Sequence, residues 1–141
     1  MAGTITEARA IPSLPPLKPS VETSTMLDNM RSALARGLPV VKMCNSHKHE
    51  LCIVGGGPSL ADTYKKLKGY IAAINGSLSF LLERGVIPNA CGVLDANRHM
   101  AEIVEPHQDV TYYVASVCNP AVFDKLKNCH VILWHPSGIA D

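Results

Sequence analysis

The sequence has no excess of charge of either sign. Its 13 lysines and arginines nearly balance 12 aspartates and glutamates, and the formal net charge is +1. Proteins that bind nucleic-acid backbones usually present a strongly basic surface, because lysines and arginines neutralise the phosphates. Nucleic acid is therefore not an expected partner of this chain.

The sequence also lacks the signals of membrane insertion, secretion and disulfide pairing. No apolar run approaches the length that crosses a bilayer, and no secretory segment follows Met1. The five cysteines are odd in number and form no framework of short spacings. These absences predict a cytoplasmic protein with reduced thiols and no membrane partner.

The 141 residues suffice for one domain with a hydrophobic core, preceded by two shorter segments. Residues 1–20 contain four prolines and few large apolar groups, which predicts a flexible leader. Residues 21–49 predict a helix, on which Met26, Met30, Leu34 and Leu38 recur at helical spacing, followed by a polar connector. Residues 50–141 predict a Rossmann-like nucleotide-binding domain.

In that domain short apolar runs alternate with amphipathic stretches. The predicted strands are residues 51–54, 70–74, 90–94, 110–117 and 130–134. Strands that alternate with helices form parallel sheets through crossover connections, and such sheets are usually covered on both faces. The sequence thus predicts an α/β fold of three-layer α/β/α build, with a mainly parallel sheet of about five strands.

The carboxyl end of the domain carries a further expectation. Only seven residues follow Trp134, whereas a parallel crossover connection needs roughly a dozen or more. We therefore expect a domain truncated at its C-terminus. The last strand would then form an open sheet edge through which the chain could self-associate.

The strongest functional signal is a glycine-rich segment, residues 55–60, after the first predicted strand. Gly55, Gly56 and Gly57 allow a tight turn in which backbone N–H groups face an anion, and Ser59 adds a hydroxyl. No Gly-Lys-Ser/Thr follows, so the segment is not a P-loop, and it does not match G-x-G-x-x-G. The alternative is a purely structural turn, in which Ser59 pairs with Asp62 in a capping box.

Polar residues also follow the other predicted strands, and parallel strands bring such residues to one sheet edge. Asn75 precedes Gly76 and would either bind a base or ribose or cap a helix. Asp95 would bind Mg²⁺, act as a general base or cap a helix. The remaining candidates are Ser116 and Asn119, as nucleotide contacts, and His135, as a catalytic base.

Three segments together carry a resemblance to a known family. They are Gly-Gly-Gly-Pro-Ser-Leu, Ile-Asn-Gly-Ser-Leu, and Leu-Leu-Glu-Arg-Gly-Val-Ile-Pro followed by a strand ending in Val-Leu-Asp. They resemble the MptE-like 6-hydroxymethylpterin diphosphokinase family, which includes the Maf motility accessory proteins and many phage and bacterial proteins. The resemblance implies a nucleotide-dependent transferase that moves diphosphate from ATP to a pterin alcohol with Mg²⁺, and Asp95 is the matching carboxylate. The family tends to show a second acidic residue nearby, whereas Asn97 and Arg98 stand here.

The glycine segment and the following asparagine are also similar to those of bacterial sialyltransferases that use CMP-activated sugars. That similarity implies nucleotide contacts from residues 55–59 and from Asn75. Three hypotheses therefore remain open: a diphosphate-type transferase, a CMP-sugar-dependent glycosyltransferase with His135 as base and no metal, and a non-catalytic nucleotide-binding or structural module.

Overall fold

The computed structural model describes residues 20–46 and 48–137, so the predicted leader lies outside the described residues except for Ser20. The elements in chain order are α1 (Thr23–Ala35), β1 (Leu51–Val54), α2 (Leu60–Thr63) with a 3-10 turn (Tyr64–Lys66), β2 (Tyr70–Ile74), α3 (Ser77–Glu83), β3 (Ala90–Val93), α4 (Met100–Ile103), β4 (Thr111–Ala115), α5 (Pro120–Lys125) and β5 (His130–Trp134). No helix among the described residues is long and apolar enough to cross a membrane.

The five strands form one sheet in which all neighbours are parallel and the strand order is β1-β2-β3-β4-β5. This arrangement confirms the predicted α/β, Rossmann-like fold with a parallel sheet. Because all five strands are parallel, their carboxyl ends meet at one edge of the sheet. The strand order does not reverse within these five strands, so neighbouring loops at that edge follow strands that are consecutive in the sequence.

One face of this sheet forms the hydrophobic core. Val54, Ala73, Val93, Val114 and Leu133 point to that face, and each is at most 4% exposed. Residues of α2, α3, α4 and α5 pack against them in a single cluster that also includes Ala33 of α1. Burial of this cluster is the main stabilising contribution to the fold, because apolar area removed from water contributes roughly 25 cal/mol per Å².

The opposite face of the sheet is exposed over β1 and β2. Leu51 is 56% exposed, Ile53 66%, Tyr70 41% and Ile74 36%. The second helical layer expected from the sequence is thus not found within residues 20–46 and 48–137. The reason is the strand order: right-handed crossovers that always advance in the same direction place every helix on the same face.

The edge expected to be open is paired at one residue. The backbone N–H of Val41 donates to the Leu133 carbonyl at 2.8 Å, and the Leu133 N–H donates to the Pro39 carbonyl at 2.7 Å. Val40 thereby forms an isolated parallel bridge with Leu133. The prediction of an open edge at residues 131–134 is therefore wrong at Leu133, and self-association of the chain stays a prediction.

A glycine in a left-handed conformation follows the carboxyl end of the first helix. α1 ends at Ala35, three residues before the predicted Leu38, and Gly37 follows with φ +61°. Glycine adopts this left-handed conformation without the steric cost that a Cβ imposes. The chain turns there and returns to the sheet, which brings Pro39 and Val41 to the edge of β5.

The exposed face yields a prediction about stability. We expect Ile53→Thr to change the free energy of unfolding by less than about 0.5 kcal/mol, because the side chain is mostly in water. Leu78→Ala, at a fully buried position, is the contrast and is expected to cost roughly 2–5 kcal/mol. Urea denaturation of the three proteins measures both effects, and an equally large loss for Ile53→Thr would contradict the exposed face.

Candidate functional site

Two loops at the carboxyl edge of the sheet line a single crevice of about 670 Å³. The first is the glycine turn (residues 55–57), which follows β1. The second contains Asn75, Gly76 and Ser77, which follow β2. The structure thus brings together the two segments that the sequence singled out most strongly. Apolar residues also line the crevice, among them Leu60, Ala61 and Phe80.

The hydroxyl of Ser77 joins these two loops. Its oxygen accepts the backbone N–H of Ile74 at 2.9 Å, and the hydroxyl donates to the carbonyl of Val54 at 2.7 Å. Ser77 is 1% exposed, so water does not compete for these hydrogen bonds. The last residue of β1 is therefore tied to the loop after β2, directly beside the glycine turn.

The fold itself does not require glycine in this turn. All three glycines are exposed, and none has a positive φ. A Cβ added at Gly55 or Gly56 would meet nothing within 4 Å, and at Gly57 it would meet only the Ser59 hydroxyl at 4.0 Å. Within the described part of the chain, the N–H groups of Gly56 and Gly57 make no hydrogen bond. These groups are free to bind a ligand that approaches the backbone closely.

The expected capping box at Ser59 is wrong. Ser59 precedes α2 in helical conformation, with φ −65° and ψ −15°, and its side chain makes no capping hydrogen bond. The N–H of Asp62 is instead bonded to the Ser59 carbonyl at 3.1 Å. The helical backbone of Ser59 turns its hydroxyl away from the geometry of a capping residue, which is usually extended. The hydroxyl remains a candidate ligand contact.

Asn75 connects the second loop to β3. Its φ is +48°, its N–H donates to the Gly92 carbonyl at 2.9 Å, and its side-chain oxygen accepts the Leu94 N–H at 3.3 Å. Gly76 is the residue that precedes α3, so Asn75 does not cap that helix as one alternative proposed. The side-chain oxygen of Asn75 is thus engaged by the protein, and its amide NH₂ is the group left for a ligand.

Asp95 lies at the same edge but outside this crevice. One carboxylate oxygen accepts the Asn97 N–H at 2.9 Å and the Ser20 hydroxyl at 3.1 Å. The residue before α4 is His99, so Asp95 shapes a local turn rather than capping the helix. β3 is two strand spacings from β1, or about 10 Å.

A Mg²⁺ ion bound at Asp95 would have few protein ligands. No three His, Cys, Asp or Glu side chains gather into a metal-binding group in the described ranges 20–46 and 48–137. A single carboxylate combined with phosphate oxygens is nevertheless a common Mg²⁺ environment. Asp95 fits that role only together with a bound phosphate.

The three remaining candidates are spread along the edge. Asn119 accepts the Ala121 N–H at 3.0 Å and caps α5, which begins at Pro120. Ser116 is fully buried, and its hydroxyl has no hydrogen-bond partner among the described residues. His135 is exposed and follows β5, four strand spacings from β1, or about 19 Å. Their roles in ligand binding or catalysis stay predictions.

The buried thiols do not add a nucleophile to this edge. Burial raises the pKa of Cys91 and of Cys118 from 9.0 to about 12. Both residues therefore stay neutral thiols near pH 7, and the thiolate is the form that reacts. Both are fully buried and act as small apolar core residues.

The apolar part of the crevice is not among the features predicted from the sequence. Phe80 lies three residues after Ser77 on α3, and residues at that spacing share one face of a helix. A side chain on that face lies close to the loop after β2, so the spacing of Phe80 from Ser77 is a signal that the sequence contains.

Comparison with known proteins agrees with this architecture. Residues 24–140 match the 6-hydroxymethylpterin diphosphokinase MptE-like family. The chain belongs to this family. No curated protein matches the sequence.

A solved structure shows a similar fold. It is described as the MAf glycosyltransferase from Magnetospirillum magneticum AMB-1, with a TM-score of 0.63 and 14% sequence identity. The match covers 86% of this chain and 21% of that protein, so the chain spans about a fifth of its length. The shared part is an α/β domain of Rossmann-like build.

The glycine turn yields a prediction about stability. Gly55→Ala and Gly56→Ala are expected to change the free energy of unfolding by less than about 0.5 kcal/mol, because a Cβ meets nothing there. Gly69→Ala is the matched contrast. Its φ is +70° and its Cβ would lie 2.6 Å from the Glu50 carbonyl oxygen, so it is expected to cost at least about 1 kcal/mol. Thermal and urea denaturation compare the three variants. A large loss of stability in Gly56→Ala would show that the fold requires glycine in this turn.

Proposed function

We propose that this chain is a nucleotide-binding transferase domain of the MptE-like family, and that the glycine turn holds the phosphates of an activated donor. The observation that carries the proposal is the absence of Cβ atoms at three consecutive exposed positions where the fold would accept them. Close approach of a ligand to the backbone accounts for glycine at these positions.

The chemistry of the crevice supports a phosphate ligand bound by the backbone. No charged side chain is among the residues that line it in the described part of the chain. Phosphate oxygens are strong acceptors, and successive backbone N–H groups in a turn form a concave anion site. The unbonded N–H groups of Gly56 and Gly57 are such donors, whereas Pro58 has none.

Family membership supports group transfer as the reaction class. The family is named for a diphosphokinase, and the structural neighbour is described as a glycosyltransferase. Both activities use donors that carry phosphate, so one phosphate-binding turn suits either reaction. The primary proposal is transfer of diphosphate from ATP, or of a similar activated group, to a small acceptor.

The second candidate is a CMP-sugar-dependent glycosyltransferase. The observation that favours it is that Asp95 belongs to no group of three or more His, Cys, Asp or Glu side chains among the described residues. A reaction without metal needs a base, for which His135 is the candidate. A donor that contacts both the glycine turn and His135 would span about 19 Å along the edge.

Nucleotide binding through the turn is tested with Gly56→Val. We expect ATP or CMP to raise the melting temperature of the wild-type chain, because a ligand of the folded state stabilises it. In Gly56→Val the ligand affinity should fall at least about tenfold, because the branched side chain blocks approach to the backbone. Ile53→Thr, on the exposed face of the same β1, is the control and should keep full affinity. Equal affinity in Gly56→Val and wild type would remove the basis of the proposal.

The two candidates differ in their response to Mg²⁺. If Asp95 holds Mg²⁺ with the donor phosphates, Mg²⁺ should strengthen ATP binding in the wild type and have no effect in Asp95→Asn. The two proteins should bind ATP equally without metal. Calorimetric titrations with Mg²⁺ and with EDTA measure the difference. The absence of any Mg²⁺ effect in the wild type would contradict diphosphate transfer and favour the CMP-sugar hypothesis.

A further inference from the structure

The crevice beside the glycine turn has two chemically different sides. The turn offers backbone N–H groups, and the crevice is also lined by apolar residues that include Ala61 and Phe80. Phe80 is half-buried, so part of this apolar surface is in contact with solvent. A ligand that fills the crevice therefore needs an anionic part and an apolar or aromatic part.

The ring of Phe80 is held in place by its neighbours. The guanidinium carbon of Arg84 lies 3.5 Å from the centre of the Phe80 ring, and Arg84 also donates to the Phe80 carbonyl at 3.2 Å. The Tyr64 ring meets Phe80 edge to face, with centroids 5.9 Å apart. A ring packed in this way is ordered before a ligand arrives, which lowers the entropic cost of binding.

The position of Phe80 suits a planar group that is linked to a phosphate. Phe80 lines the same crevice as Gly55, Gly56 and Gly57 of the glycine turn. The guanidinium of Arg84 covers one face of the Phe80 ring, so a base would stack on the other face.

We propose that the Phe80 ring is the stacking surface for the base of the nucleotide whose phosphates bind at the glycine turn. The inference rests on the proposed function and adds the residue that recognises the base. Aromatic side chains stack on every base, because each base has a π face. Phe80 therefore contributes affinity for nucleotides of either purine or pyrimidine type, and other contacts discriminate between them.

The test separates the base from the phosphates by using ligands with and without a base. Calorimetry with the full 141-residue chain measures pyrophosphate, CMP and ATP against wild type, Phe80→Leu and Phe80→Tyr. Phe80→Leu should weaken CMP and ATP about tenfold, within the range reported for base stacking, and leave pyrophosphate within about twofold. Phe80→Tyr keeps the ring and should bind all three ligands as the wild type does.

Each other outcome overturns a specific statement. Unchanged CMP and ATP affinity in Phe80→Leu would show that the ring does not contact the base. An equal loss for pyrophosphate would show that Phe80 only maintains the shape of the crevice, and this would also overturn the inference. Failure of the wild type to bind pyrophosphate or either nucleotide would overturn the proposed function itself. Phe80→Met, which fills the space with a flexible side chain, replaces Phe80→Leu if the latter does not fold.

Discussion

The site depends on one buried hydroxyl. Ser77 holds the Val54 carbonyl at 2.7 Å and accepts the Ile74 N–H at 2.9 Å, so it fixes the carboxyl ends of β1 and β2 against each other. The glycine turn follows β1 immediately, and its position relative to the second loop is set by these bonds. Without them, the two loops would be joined only by the ladder between their strands. The remaining features of the crevice are arranged around this connection.

The sheet could be predicted closely from the sequence. Three of the five strands have the predicted bounds, because short apolar runs between glycine, proline and polar clusters leave little choice of element. The face that remains exposed could not be predicted, since it depends on strand order, and strand order is a property of contacts distant in the sequence. The pairing of Val40 with Leu133 joins residues more than ninety positions apart, and no local pattern marks it.

The same limit applies to the candidate site. The glycine turn and Asn75 were predicted to converge and do so, because they follow consecutive strands that lie side by side. Asp95 and His135 were grouped with them on the ground that all parallel strands end at one edge. The order of the strands separates them by about 10 Å and 19 Å from β1, a distance that the sequence does not reveal. Phe80 was missed because it lies within a helix and not in a loop.

The residues of the proposed site suit the binding of a phosphate-bearing ligand better than they suit acid-base catalysis. The crevice supplies donors for phosphate, an apolar wall and an ordered ring, but the candidate acid-base groups lie elsewhere on the edge. The central claim is that the backbone of the glycine turn binds phosphate, and NMR amide shifts during a pyrophosphate titration measure this directly. We expect saturable shifts of the Gly55, Gly56 and Gly57 amides, with smaller shifts at Gly76. If pyrophosphate shifted only amides near Lys65, Lys66 and Lys68 and left the three glycine amides unchanged, the claim would be contradicted.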